Sequence, residues 1–96
     1  MYANLLMFTL EPGMRSTAEK LADQFAPVVR AQKGFKSITF LSNETVGEYG
    51  SLSLYESKED AEAAAAAIGP RVEQALSGIV KGPPTRRRFE VYEPKA

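Results

Sequence analysis

Apolar and polar positions along this chain alternate between a two-residue and a helical rhythm, and the changes of rhythm mark its elements. Tyr2 to Leu10 is almost wholly apolar and closes on Glu11-Pro12-Gly13, a strand ended by a turn. Its two faces, Asn4, Leu6, Phe8 and Ala3, Leu5, Met7, are both largely apolar, so the strand is expected in the middle of a sheet. From Ser16 to about Gln32 the spacing turns helical, with Leu21, Ala22, Phe25, Val28 and Val29 on one stripe. Ser16 and Glu19 have the spacing of a capping box, Pro27 predicts a kink or break, and Gly34 suits the C-terminal cap.

Phe35 to Leu41 reads as a second strand. The polar stretch Ser42 to Gly47 is short, so the third strand, Glu48 to Tyr55, is expected to pair antiparallel with it. This strand alternates strictly, with Leu52 and Leu54 on one face and Tyr49, Ser51, Ser53 and Tyr55 on the other. Ser57 to Asp60 is a second capping box, leading into the alanine run Ala63 to Ala67. Gly69-Pro70 predicts an interruption before a further helical segment from Arg71 to Val80. Thr85 to Tyr92 is the last strand, with Arg86, Arg88, Glu90 and Tyr92 on one face and Phe89 and Val91 on the other.

The order β-α-β-β-α-β predicts a ferredoxin-like α+β fold: one antiparallel sheet with both helices on one side, residues 1–96 forming a single domain. The other sheet face is then bare. Four strands of about six residues give roughly 300–400 Å² of face. If that face carries Leu6 and Phe8, it matches the largest apolar patch a monomer usually shows, and a second copy of the chain is the simplest cover.

Composition narrows the chemistry. Twelve basic residues balance twelve acidic ones, which gives no electrostatic footprint for a nucleic acid or an anionic membrane. The chain has neither cysteine nor histidine. This removes disulfides, thiolate nucleophiles, the commonest general base and the commonest ligand of haem, zinc and non-haem iron. No acidic cluster has a metal-binding spacing. No apolar run approaches the roughly 18 residues of a membrane span, and the start MYANLLMFTLEPG lacks the basic region of a signal peptide, so a cytoplasmic location is expected.

The junction YESKEDAEAAAAAIG resembles the strand-to-helix junction of the antibiotic biosynthesis monooxygenase-like domains of the dimeric α/β-barrel superfamily. The Glu-Pro-Gly turn, the Lys-Gly-Phe before the second strand and the Gly-Pro-Pro before a final Phe-Glu-Val-Tyr-Glu extend the resemblance over nearly the whole chain. It implies a homodimer in which two bare sheet faces meet as a barrel. It also implies a pocket for a small aromatic ligand, between each sheet and its own helices or near the barrel mouth. The Tyr55 side of the third strand would line that space, and Leu52 and Leu54 would pack under the helices. Similar domains include monooxygenases that work on aromatic polyketides without metal or flavin. Others degrade haem with a histidine ligand, which this chain lacks.

The candidate catalytic residues are Tyr55, Arg86 and Asn4. Tyr55 stands where the resembling domains usually have tryptophan. It would stack on a flat ligand, or it would plug one end of the barrel as a structural ring. Those domains often carry asparagine four residues earlier, where this chain has Ser51, a single donor in place of an amide's two. Asn4 could supply an amide from the first strand. Tyr49, Ser51, Ser53, Leu6, Phe8 and Arg88 are the candidate substrate contacts. Arg86 or Arg88 would meet an anion or enolate, or would simply pair with carboxylates. Aromatics on the third strand also occur in RNA-recognition domains of this topology, but the basic-Gly-aromatic pattern is missing.

Two functions follow. One is a cofactor-independent monooxygenase oxidising an aromatic or polyphenolic molecule whose stabilised carbanion passes an electron to O₂ itself. The other is a non-catalytic binding or interaction protein of the same fold. An isomerase or lyase on the same barrel is a third.

Overall fold

The structure, a computed structural model, describes residues 1–95. The elements are β1 (Tyr2–Thr9), α1 (Arg15–Arg30), β2 (Phe35–Asn43), β3 (Glu48–Tyr55), α2 (Lys58–Leu76) and β4 (Thr85–Glu90), with one 3₁₀ turn (Glu44–Val46) between β2 and β3. The sheet is antiparallel throughout, in the order β2-β3-β1-β4. This is the expected ferredoxin-like α+β arrangement, with β1 and β3 in the middle.

Both helices run longer than their prolines suggest. α1 passes through Pro27 and α2 through Pro70 without ending. Each proline leaves one carbonyl without its intrahelical donor, that of Asp23 in α1 and of Ala66 in α2. Asp23, Pro27, Ala66 and Pro70 are all exposed, so water can take up the freed carbonyls. α2 is therefore one helix, not two segments. α1 also begins two residues earlier than its capping-box pattern predicts: the Ala18 amide donates to the Met14 carbonyl, and Met14 makes no side-chain cap. Ser16 thus lies inside the first turn, where it cannot cap, and the Glu19 carboxylate pairs with Arg15 at 3.3 Å. The second capping site is as expected: Ser57 Oγ accepts from the Asp60 amide at 3.1 Å.

The register decides which sheet face the helices cover. Asn4 Nδ2 donates to the Ala61 carbonyl of α2, so the Asn4 side of β1 faces the helices. Tyr55, Ser53, Ser51 and Tyr49 stand opposite Tyr2, Asn4, Leu6 and Phe8 and share that side. Ile38 and Phe40, opposite Ser53 and Ser51, complete it from β2. Phe35 joins them because the register shifts between Phe35 and Ser37, which makes Lys36 an extra residue in the ladder.

This reverses the expected orientation. Leu52 and Leu54 do not pack under the helices. With Ala3, Leu5 and Met7 they lie on the bare side, joined by Leu41 and Phe89, which remain 37% and 40% exposed. Leu6 and Phe8 lie on the covered side. Alternation shows that β3 has two faces; it does not show which one meets the helices when both are apolar enough to be covered.

The covered side is tightly packed at its two ends. Near the start of α2, Tyr55, Ala61 and Ala64 are buried, with Tyr2, Phe35 and Ile68 against them. The small alanines bring α2 close enough to bury the Tyr55 ring to 1% exposure. At the other end Leu10 and Leu76 are buried and Leu10 bridges to Val80. Between these ends Leu6, Phe8, Leu21 and Phe25 are only half-buried.

Candidate functional site

The half-buried residues surround a cavity of about 400 Å³ between the sheet and its own helices. Its floor is the covered face of β1 and β3. α1 contributes Leu21, Ala22 and Phe25, and α2 contributes Ala64, Ile68 and Val72. All nine candidate residues line it: Tyr55, Arg86, Asn4, Tyr49, Ser51, Ser53, Leu6, Phe8 and Arg88. α1 and α2 of the same chain roof this space.

The site residues differ in how free they are. Tyr55 forms one end wall, edge-on to Phe35, with ring centroids 6.4 Å apart and planes at 76°. Tyr49 forms the other end beside Phe8, with centroids 6.4 Å apart. Ser53 is 6% exposed, between Asn4 and Ile38. Ser51 is half-buried between Leu6 and Phe40, a hydroxyl in the middle of the floor.

Asn4 is committed at both ends of its amide. Nδ2 donates to the Ala61 carbonyl at 2.9 Å and Oδ1 accepts from Arg88 Nε at 2.8 Å. These bonds hold its neighbours in place and use one of the two N–H groups of Nδ2. Arg86 is also engaged: Nη1 donates to Glu73 at 2.9 Å and Nη2 to the Gly69 carbonyl at 3.3 Å. These bonds clamp β4 to the later turns of α2. Arg87, opposite Leu5, belongs to the bare face and lies over the Phe89 ring at 4.9 Å. The three arginines thus form no single basic patch.

At the Tyr49 end, Arg15 joins Glu19 at 3.3 Å and Glu44 at 3.1 Å, tying α1 to the turn after β2. Sequence reading missed this contact and the contribution of α1 to the cavity. The stripe Leu21-Ala22-Phe25 was visible as core, but nothing in its spacing says that the sheet stops short of filling the space below it. Among the described residues no cluster of three or more His, Cys, Asp or Glu could hold a metal ion, and no helix is long and apolar enough to cross a membrane.

An antiparallel ferredoxin-like sheet with a cavity under its own helices defines the structural class. The family follows from the sequence: the family model for antibiotic biosynthesis monooxygenase matches residues 1–67, and the chain belongs to that family. Solved structures agree in fold. Rv0793 from Mycobacterium tuberculosis superposes with a TM-score of 0.76 at 19% identity, over 99% of this chain and 98% of its own. A mutant of SnoaB, a cofactor-independent oxygenase from Streptomyces nogalater, gives 0.77 at 18% identity, over 97% and 94%. A monooxygenase from Streptomyces coelicolor in complex with nanaomycin D gives 0.78 at 18% identity, over 99% and 90%. No curated protein matches the chain.

Proposed function

We propose that this chain is a cofactor-independent monooxygenase of the cytoplasm that oxidises a flat aromatic or polyphenolic molecule in the cavity between its sheet and helices. The observation that carries this reading is the cavity itself: aromatic at both ends, apolar on its roof, with the Ser51 hydroxyl and the Arg86 and Arg88 side chains along its walls. Its volume is within the range of small-molecule sites. The structural neighbours include a cofactor-independent oxygenase and a monooxygenase holding nanaomycin D, which supports the same reading.

The chemistry suits a substrate acidic enough to ionise with little help, because the chain has no histidine or cysteine. An anthrone is an example. Its carbanion transfers an electron to O₂ and recombines with it; one oxygen atom remains as a ketone and the other leaves as water. The protein orients the ring, steadies the developing oxyanion with Ser51 and an arginine, and keeps bulk water away. Tyr55, Leu6 and Phe8 provide the walls.

The working unit is a homodimer. Leu5, Met7, Leu41, Leu52, Leu54 and Phe89 form an apolar sheet face on the side away from both helices, and a second copy related by a two-fold axis is a fitting cover.

A second reading, a non-catalytic binding protein, is favoured by one observation. Among the described residues Glu19 is the only carboxylate lining the cavity, and it is paired with Arg15. Oxygen consumption with a panel of anthrones and quinols, in the presence of EDTA, separates the two. The enzyme reading expects turnover that falls in Ser51→Ala and Arg86→Ala. Ligand uptake without oxygen consumption, unchanged in both variants, would leave the binding protein.

A further inference from the structure

We infer that Arg88, held by Asn4, is a preset receptor for a carboxylate, and that the ligand of this cavity is an aromatic acid. The inference rests on the cavity being a ligand site and specifies what that ligand carries.

The argument starts from charge. Arg15, Arg86 and Arg88 are the cationic side chains on the helix-covered side that line the cavity. Arg15 is offset by Glu19 and Glu44, and Arg86 by Glu73. Arg88 differs: among the described residues no carboxylate forms a salt bridge with it. Its recorded partner is the neutral Asn4 amide, so the cavity wall keeps one uncompensated positive charge.

Geometry sharpens this. The Arg88–Asn4 bond uses Nε, which fixes the plane of the guanidinium and leaves the Nη1–Nη2 edge to act as a fork. That edge presents two parallel N–H groups, which match the two oxygens of a carboxylate better than the single oxygen of a phenol. Asn4 cannot turn its amide over without losing its bond to the Ala61 carbonyl, and Ala61 is fully buried in α2. The chain Ala61–Asn4–Arg88 therefore anchors the fork to the helix roof. A pre-oriented fork loses little conformational freedom when an anion arrives. Asn4 acts as a positioning residue, which also accounts for an asparagine on an otherwise apolar strand face.

The test compares the fluorescent acid hydroxynaphthoate with its methyl ester, titrated into the full chain. The acid should bind roughly tenfold or more tightly than the ester, the usual scale for a charge-assisted pair. Arg88→Gln should abolish that preference and Arg88→Lys should retain part of it. Asn4→Ala should reduce it. Asn4→Asp should reduce it further, because it sets a competing carboxylate against Arg88. Arg30→Gln, at the exposed end of α1, should leave it unchanged. Equal binding of acid and ester to the unaltered chain, or a preference that survives Arg88→Gln, overturns the inference while the cavity reading stands. Binding of neither compound removes both.

Discussion

Tyr55 and Phe35 occupy facing positions on β3 and β2 and meet edge to face under the first turns of α2. The contact closes one end of the cavity and the alanines above it set its size. Tyr55→Ala should cost about 3–5 kcal/mol, the usual loss for a buried aromatic ring. Tyr55→Phe keeps the ring and should leave stability within about 1 kcal/mol. Tyr55→Trp inserts the larger ring of the resembling domains beneath Ala61 and Ala64, which are 0% and 1% exposed, and should destabilise by about 1–3 kcal/mol. Urea unfolding of the three variants checks the order. A stabilised tryptophan variant would show that the α2 alanines leave more room than their burial implies.

Gly50 approaches β1 so closely that a Cβ would overlap the Leu6 carbonyl oxygen and the Met7 sulfur. The backbone at this point cannot move without disturbing the β1–β3 ladder, which lies beneath the cavity. Gly50→Ala should therefore destabilise by about 1–3 kcal/mol, although alanine is ordinarily no worse than glycine in a strand. Gly13→Ala, at a turn with open space around it and φ of 84°, should cost less, since only backbone strain opposes it. Thermal unfolding of both variants gives the comparison. A Gly50→Ala loss no larger than that of Gly13→Ala would show that β1 yields to the added methyl group.

Much of the fold was legible because local chemistry agreed with it. Glu11-Pro12-Gly13, Ser57 with Asp60, and the strict alternation of β3 each mark an element that the structure contains. The prolines misled because a helix interior penalises proline through a lost carbonyl partner, and burial of that carbonyl is a tertiary property. Asp23 and Ala66 are exposed, so the penalty is small. The faces of β3 misled for a related reason. Leu52 and Leu54 look like core, yet the helices cover the tyrosines and serines, where incomplete packing leaves a cavity. Alternation put the nine candidate residues on single faces of β1, β3 and β4, and the family resemblance chose the Tyr55 face of β3. The Asn4–Arg88 and Arg86–Glu73 bonds could not, since both join positions distant in sequence.

The bare face gives a prediction about assembly. Leu52 sits at its centre, opposite Leu5 on β1 and Thr39 on β2. If a second copy covers it, Leu52→Asp puts a carboxylate into an apolar interface on each partner. Light scattering at micromolar concentration should give the mass of two chains for the unaltered protein and of one for the variant. A mass of one chain before substitution would refute the dimer. On the covered side, Ser51→Asp should leave the mass unchanged, because Ser51 faces the cavity.

The last prediction concerns pH. Lys36, the extra residue in β2, places its ammonium 2.8 Å from the Glu56 carboxylate just beyond β3. The hydrogen bond and charge of Lys36 hold the Glu56 carboxyl below its usual range, and those of Glu56 raise the Lys36 ammonium above its own. A lowered carboxyl stabilises the fold above the unfolded carboxylate value, and that stabilisation is lost as pH falls through the folded value. A raised ammonium stabilises below the unfolded lysine value and loses its effect as pH rises through the folded one. The pair therefore contributes in the window between the two ranges. Both groups are exposed, so the effect is small and salt should weaken it. Glu56→Gln should lower Tm slightly at neutral pH, and the difference from the unaltered chain should vanish on the acid side of the carboxylate range. Lys36→Met should reproduce the loss, and the double variant should lose no more than either single one. Additive losses would mean that each side chain stabilises the strand ends separately, with the bulge at Lys36 serving only to bring Phe35 to the covered face.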